Sequence, residues 1–309
     1  MSKFEVSVVG ELNLDLILAG LPSRLEPERE HLANALTVTL GSSSAIFAHN
    51  LALLGNRVGF SSARGSDALG EIALHFLRDS GTDVAGVREF PGRTTGLTTI
   101  LSTGSERYIL TYPGTMFEMT FDDLDLTYIL DARHLHLSSY YLHRALRPRI
   151  GDLFRAAKTA GLTTSLDTND DPEDCWAADL GNVLPYVDVL LPNEQEACKM
   201  AHTDDLKRSM EILAEQVAMV VVKRGRAGAV AQRGSERFRV EALAVQAVDA
   251  VGAGDSFDAG FVHQFIRGGQ IEECLKFASR TGALSATRAG GIEAFRDAQH
   301  RERFLASGS

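Results

Sequence analysis

Short apolar runs alternate along this chain with longer stretches of helical periodicity, and that alternation limits the fold more than any other feature. Residues 4–10, 58–61, 134–137, 163–167, 187–191 and 218–223 read as strands. Several are nearly continuous in apolar residues, as strands buried on both faces of a parallel sheet are. The spacing predicts helices over 43–54, 68–80, 144–160, 194–201, 204–216, 255–267 and 271–287. An α/β fold follows, with a mostly parallel sheet covered by helices and joined by right-handed crossovers.

Two regions break the rhythm. Residues 11–40 and about 94–115 hold strand-like pieces (12–18, 35–40, 96–102 and 107–112) with no helix between them. They are expected to form a small separate β-sheet, a lid over the crevice at the carboxyl ends of the main strands. No shift in composition marks a linker, so the lid reads as insertions into one domain spanning 1–309.

Composition narrows the partners. The formal net charge of −10 argues against non-specific nucleic-acid binding, which basic faces dominate. No run of about 18 apolar residues suggests a membrane span. The start, Met-Ser-Lys-Phe-Glu-Val, has neither the basic lead nor the cleavage site of a secretion signal. The three cysteines (Cys175, Cys198 and Cys274) are isolated, and a reducing cytoplasm is the simplest expectation.

The segment that carries chemistry is Asp249-Ala-Val-Gly-Ala-Gly-Asp-Ser-Phe257. A glycine turn that opens into a helix presents free N–H groups and the positive end of the helix dipole. The backbone of Gly252, Ala253 and Gly254 is thus an anion hole suited to a transferring phosphoryl group. Asp255, in the first helical turn, is placed to accept a proton from an attacking hydroxyl. The same residues also read as an ordinary helix cap after a turn. Other phosphate motifs are absent. The third Rossmann glycine is Phe257, no Gly-x₄-Gly-Lys-Ser/Thr occurs, and His143-Arg144 is followed by Ala145 rather than Asp.

Taken in order, the motifs resemble the ribokinase/PfkB family of sugar and nucleoside kinases. Residues 249–257 are similar to its C-terminal signature. Val9-Gly-Glu-Leu-Asn-Leu-Asp15 resembles its first strand, and Gly41-Ser-Ser-Ser-Ala-Ile-Phe its glycine-led N-terminal signature. Gly65, Asp67 and Gly70 fit Gly-x-Asp-x-x-Gly; Asn193 and Glu196 fit Asn-x-x-Glu; Lys223, Gly225 and Gly228 fit Lys-x-Gly-x-x-Gly.

The resemblance implies a ribokinase-like three-layer fold and Mg²⁺-dependent transfer from ATP to a small sugar or sugar acid. Asp255 would be the base, and Asn13, Asp15, Gly41, Ser42 and Ile46 the substrate side. Asn193, Lys223, Gly225 and Gly228 would meet the nucleotide, with Glu196 organising Mg²⁺ through water. Asp249 and Val251, with the loop 285–290, resemble the segments that enclose a monovalent cation such as K⁺ in many members. Many relatives also pair their lids, so a homodimer through the lid is expected. A nucleoside kinase, or a non-catalytic sugar sensor on the same fold, remains an alternative; a sensor has no need of a base.

The chain departs from the family pattern where the sugar pocket is expected. Ser42 stands for a second glycine and Ile46 for an asparagine. Isoleucine offers no donor or acceptor, so this edge is expected to be apolar, unless Ile46 is a core residue of its helix. Asp167-Thr-Asn169 followed by Trp176 looks like a stretch of fructokinases and 2-keto-3-deoxygluconate kinases, which hints at a ketose or sugar acid.

Overall fold

The computed structural model of the chain describes residues 2–103, 106–176 and 178–306. Its first strands are β1 (Val6–Val9), β2 (Asn13–Ala19), β3 (Ala35–Leu40), β4 (Val58–Gly65), β5 (Asp83–Phe90), β6 (Gly96–Thr103) and β7 (Glu106–Tyr112). The rest are β8 (His134–Leu137), β9 (Thr163–Leu166), β10 (Val189–Leu190), β11 (Met219–Lys223), β12 (Ala229–Arg233) and β13 (Glu236–Val240). The helices begin with α1 (Ser43–Leu53), α2 (Ala68–Asp79), α3 (Leu126–Leu130), α4 (Ile150–Thr159) and α5 (Glu194–Met200). They continue as α6 (Leu206–Ala214), α7 (Ala253–Phe265), α8 (Ile271–Ser285), α9 (Glu293–Arg296) and α10 (Ala298–Ala306).

The large sheet runs β13-β12-β11-β10-β9-β8-β1-β4-β5. From β5 to β11 every neighbouring pair is parallel, while β12 and β13 add an antiparallel edge. Every strand expected from a continuous apolar run lies in the parallel part. The sequence pattern missed β5, β12 and β13. β5 and β13 are the sheet's two edges, with few buried residues, while β12, next to β13, is mostly buried but offers only Ala-Val-Ala before Gln232 and Arg233.

Both faces of the sheet are covered. Val6 and Val8 pack with Phe47, Leu51, Leu74, Leu77 and Val262. Leu135 and Leu137 pack with Leu153 and Phe154. Burying side chains of this size contributes about 1.5–3 kcal/mol each, which anchors the strands that carry the site. The helix expected over 144–160 begins only at Ile150. Pro148 sits in a 3₁₀ turn over Arg147–Arg149; it has no N–H for a longer ladder, and its ring disfavours helical backbone before it.

The strand pieces of the two irregular regions pair as a second sheet, β3-β2-β6-β7. Gly104 and Ser105, within the expected lid segment 94–115, lie outside the described residues. Asp67 ties this sheet to the large one. Its Oδ1 accepts from Gly70 N at the start of α2 (2.9 Å), and its Oδ2 accepts from Thr95 N (2.8 Å), where the chain enters β6. No helix among the described residues is long and apolar enough to cross a membrane.

Candidate active site

The carboxyl ends of the parallel strands lie along one edge of the sheet, where α/β folds bind their ligands. Glu11 follows β1, Ser139 follows β8, Asp167 follows β9, Asn193 follows β10, and Lys223 ends β11. The helices α1 and α7 start against this edge, and the second sheet reaches it through Asn13 and Asp15.

The start of α7 has the geometry the glycine turn implies. Gly252 is its N-cap in the left-handed region (φ 71°), and a methyl there would lie 2.4 Å from Gly291 Cα. The helix begins at Ala253, two residues earlier than its expected start at 255. Ser256 N bonds back to Gly252 O (2.9 Å), while Ala253 N is drawn to Ala250 O (3.3 Å). The N–H groups of Gly254 and Asp255 find no acceptor among the described residues. The anion hole therefore centres on these two, and Ala253 contributes its place in the turn rather than a free N–H.

Asp255 is buried, with 8% of its surface exposed. Burial, and then repulsion by Asp167, push its carboxyl up to about 7; Lys223 and a hydrogen bond from the Ser43 side chain act the other way. Asp255 is therefore partly ionised near neutral pH, as a general base requires.

The residues expected on the substrate side gather here with one change of element. Asn13 and Asp15 belong to β2 in the small sheet, not to the first strand. That strand ends at Val9, and Gly10 packs so closely on α1 that a methyl there would lie 1.9 Å from Ser44 Oγ. Asn13 donates to Thr98 Oγ1 (3.1 Å), while its Oδ1 is buried with no partner among the described residues. Asp15 is pushed up to about 7 by burial, then by Asp255 and Asp249. Gly41 makes room for it, since a methyl at Gly41 would lie 2.1 Å from Asp15 Oδ1.

Ser42 caps α1 at φ 69°, a backbone region that glycine fills more readily. Its hydroxyl donates to Glu11 O (2.5 Å), which helps hold the turn. Ile46 is 3% exposed and packs on the anion turn: methyls on Gly291 and Gly252 would lie 2.5 Å from its Cδ1 and 3.3 Å from its Cγ2. This is the core-residue alternative for Ile46, with the added effect of seating the turn.

On the nucleotide side, Asn193 and Glu196 form a capping box at α5. Asn193 N donates to Glu196 Oε2 (2.8 Å), and Glu196 N donates to Asn193 Oδ1 (2.9 Å). Burial, and then Asp167, push Glu196 up to about 7. Asn193 Nδ2 also donates to Glu196 Oε1 (2.5 Å), so both carboxylate oxygens are engaged, and among the described residues no cluster of three or more His, Cys, Asp or Glu could hold a metal ion directly; Glu196 would meet Mg²⁺ through its water shell. Gly225 and Gly228 take positive φ (52° and 83°) in the turn from β11 to β12. Lys223 turns inward to Asp167 and Asp258.

The expected monovalent-cation site has a different content. Asp249 Oδ1 accepts from Val251 N (3.1 Å) and from Arg107 Nη1 on β7 (3.3 Å), and Oδ2 accepts from Gly290 N (3.1 Å). The carboxylate of Asp249 thus accepts from two backbone N–H groups and a guanidinium, and any cation in this turn would rest mainly on backbone carbonyls.

Sequence reasoning passed over a buried network around Glu11. Its Oε2 accepts from Ser44 Oγ (2.7 Å) and lies 3.3 Å from His143 Nε2; its Oε1 accepts from Ser139 Oγ (2.8 Å). Despite burial, these partners hold its carboxyl at about 2. Ser139 (φ 55°) also accepts from Nδ2 of Asn169 (φ 52°) at 3.2 Å, so the loops after β8 and β9, both with left-handed backbone, meet at the Ser139 hydroxyl that donates to Glu11. Glu11 sits within the quoted first-strand motif, and the three serines after Gly41 were the available signal for its partners. Trp176 packs edge-on to Tyr141 and has a structural place.

A model of the family described as "pfkB family carbohydrate kinase" matches residues 3–298. An ATP-dependent ribose-1-phosphate kinase of Halopiger xanaduensis is 30% identical over 257 residues, 82% of this chain and 82% of that one. The structure of Arabidopsis thaliana ribokinase complexed with ribose and ATP superposes with a TM-score of 0.83, at 26% identity over 99% of each chain. An E.coli protein described as Ribokinase II, in complex with ATP and Mg²⁺, gives 0.86 at 25% identity, again over 99% of each. With a buried carboxylate beside unpaired N–H groups at a glycine-led helix start, and this match along nearly its whole length, the chain belongs to the pfkB family of carbohydrate kinases and phosphorylates a sugar hydroxyl with ATP.

Proposed function

We propose that Asp255 deprotonates the acceptor hydroxyl of a small sugar or sugar acid held between the two sheets by Asn13 and Asp15. The observation that carries this reading is the pairing of buried Asp255 with the unpartnered N–H groups of Gly254 and Asp255, opposite Asp15. The orphaned Oδ1 of Asn13 can accept from a sugar hydroxyl, and Asp15 can accept from a second.

As the acceptor oxygen attacks the γ-phosphorus of ATP, its proton passes to Asp255 and the bond to the leaving oxygen of ADP breaks. The N–H groups at the start of α7 meet the charge on the transferring group. Mg²⁺, when bound, neutralises the phosphates, and Glu196 is the residue placed to orient its water shell. Asn193, Gly225 and Gly228 would border the nucleotide. Ile46 shapes the turn from behind, and Gly41 with Ser42 set the position of Asp15 and the cap of α1. The domain reading that goes with this is one kinase unit, with the small sheet as its lid.

The test is ADP release over a panel of sugars, sugar acids, sugar phosphates and nucleosides with Mg-ATP. One sugar or sugar acid should exceed the nucleosides by at least about tenfold in kcat/KM, a margin of about 1.4 kcal/mol. A nucleoside as best acceptor would overturn the substrate class.

The small sheet supports a second expectation, a homodimer. Leu16, Leu18, Leu36, Val38, Leu101, Tyr108, Leu110 and Tyr112 share its outer face through the registers of β2, β3, β6 and β7. Leu36, Leu110 and Tyr112 are 60%, 58% and 57% exposed. An apolar sheet face of this kind marks a contact surface, and a second copy offers the same face. Light scattering at micromolar concentration should give twice the chain mass, and Leu110→Asp should halve it. A monomeric wild type would remove the dimer. The isolated thiols Cys175, Cys198 and Cys274 support a reducing compartment such as the cytoplasm.

A further inference from the structure

Lys223 stands in the nucleotide-side motif, yet its ammonium is turned into the protein. Its side chain is 12% exposed, and Nζ lies 2.7 Å from Asp167 Oδ2 and 3.0 Å from Asp258 Oδ2. These contacts join three elements: Lys223 ends β11, Asp167 follows β9 and Asp258 lies on α7. The backbone of Lys223 is fixed as well, since its N–H donates to Pro192 O (2.9 Å).

The ammonium also lies against the anion turn. A methyl built on Gly254 would stand 3.6 Å from Lys223 Nζ and 3.9 Å from Cδ and Cε, so the lysine stem runs directly beneath the last glycine of the turn. Asp258 stands three residues beyond Asp255 on α7, hence on the same helical face. A tie from Asp258 to two strand ends therefore fixes how α7 is rotated about its axis. That rotation decides where Asp255 and the free N–H groups of Gly254 and Asp255 point.

We propose that Lys223 is a positioning residue for phosphoryl transfer. Its buried ammonium holds Asp258 to Asp167, so that the first turn of α7 keeps Asp255 and the anion hole aimed at the reacting atoms, and it does not bind the nucleotide. The side chain is engaged with two buried carboxylates, whereas a phosphate ligand would extend toward the crevice. Among the described residues one oxygen of Asp258 has no partner, so its orientation rests on its contacts with Lys223 and Asp167. Displacing reacting groups by about 1 Å can cost on the order of 10²-fold in rate without weakening binding.

The proposal rests on the kinase reading, and its test separates the two. ADP release by the wild type tests the kinase reading; the variants test Lys223 only once the wild type is active. Lys223→Met keeps the length of the stem without the charge, and Lys223→Arg keeps the charge. The measurements are kcat, KM for ATP, and the Kd of a non-hydrolysable ATP analogue by calorimetry. For Lys223→Met we expect kcat to fall about 10²-fold, with the analogue's Kd within about twofold of the wild type. Lys223→Arg should recover much of kcat. A Kd raised more than about tenfold with kcat retained would make Lys223 a nucleotide ligand and overturn the proposal. So would an unchanged kcat in a folded variant. If Lys223→Met does not fold, Asp258→Asn decides by the same two criteria, because it keeps the ammonium and weakens only the tie to α7.

Discussion

Asp255→Asn is expected to fold, to bind ATP and sugar, and to lose about 10²–10⁴-fold in kcat, the usual contribution of a general base. The same change should stabilise the unliganded protein above neutral pH. In the native state burial raises the Asp255 carboxyl from 3.8 to about 7, so the folded protein holds this proton more tightly than the unfolded chain. Stability from this group is fully present below about pH 4 and is lost as pH rises through about 7. Asparagine does not ionise and loses nothing over that window.

Asp15 and Glu196, both also raised to about 7, act in the same direction, whereas Glu11, held at about 2, contributes evenly from pH 5 to 8. Thermal unfolding at pH 5.5 and pH 8 measures the effect: the wild type should lose more stability between them than Asp255→Asn. The wild-type kcat/KM should rise with pH through about 7 on its acid side as Asp255 loses its proton. A variant with wild-type kcat would remove Asp255 from the mechanism.

Gly252→Ala is expected to lower kcat about 10²–10³-fold, the range seen when one oxyanion donor is displaced. The left-handed backbone at φ 71° costs an alanine roughly 1–2 kcal/mol. The larger effect is steric, because the methyl would meet Gly291 Cα at 2.4 Å and the turn would have to move. Gly161→Ala is the control. It has φ 85° but open space around the added methyl, and it lies between α4 and β9, at the opposite end of the strands from the site, so it carries the strain without the displacement. Gly161→Ala should keep kcat within a few-fold; comparable losses in both variants would show that strain rather than the anion turn governs the rate.

The fold was legible where burial on both faces of the sheet leaves runs rich in apolar residues. Strands β10 and β11 are such runs, and β1, β8 and β9 are buried along almost all of their length with Ser, His or Thr among the apolar residues. Strands β5 and β13 are not, because an edge strand keeps one side in water and its polar residues hide the period; β12, paired on both sides, is too short a run before Gln232 and Arg233. The start of α4 shifted by six residues, from 144 to 150, because one proline outweighs a helical pattern that otherwise continues through it. In the site, Asp255 and its glycine turn were readable because backbone geometry and a local carboxylate define them within four residues.

Side-chain direction was not readable, and it decided the remaining assignments. Motif position placed Lys223 at the nucleotide, and only the approach of Asp167 and Asp258, 56 and 35 residues away in the chain, turns its ammonium inward. Asp249 gained an ion-pair partner, Arg107 from β7, 142 residues distant. Glu11 became a hub through Ser139 and His143, neither of which has any local relation to it. The sequence by itself determined the layered α/β fold and the glycine turn that opens α7 with Asp255 in its first turn, since these follow from periodicity and from contacts within one helical turn. Which charged groups neutralise one another was settled only in three dimensions, because a buried charge takes the opposite charge or donor that folding brings within reach, and sequence spacing carries no record of that distance.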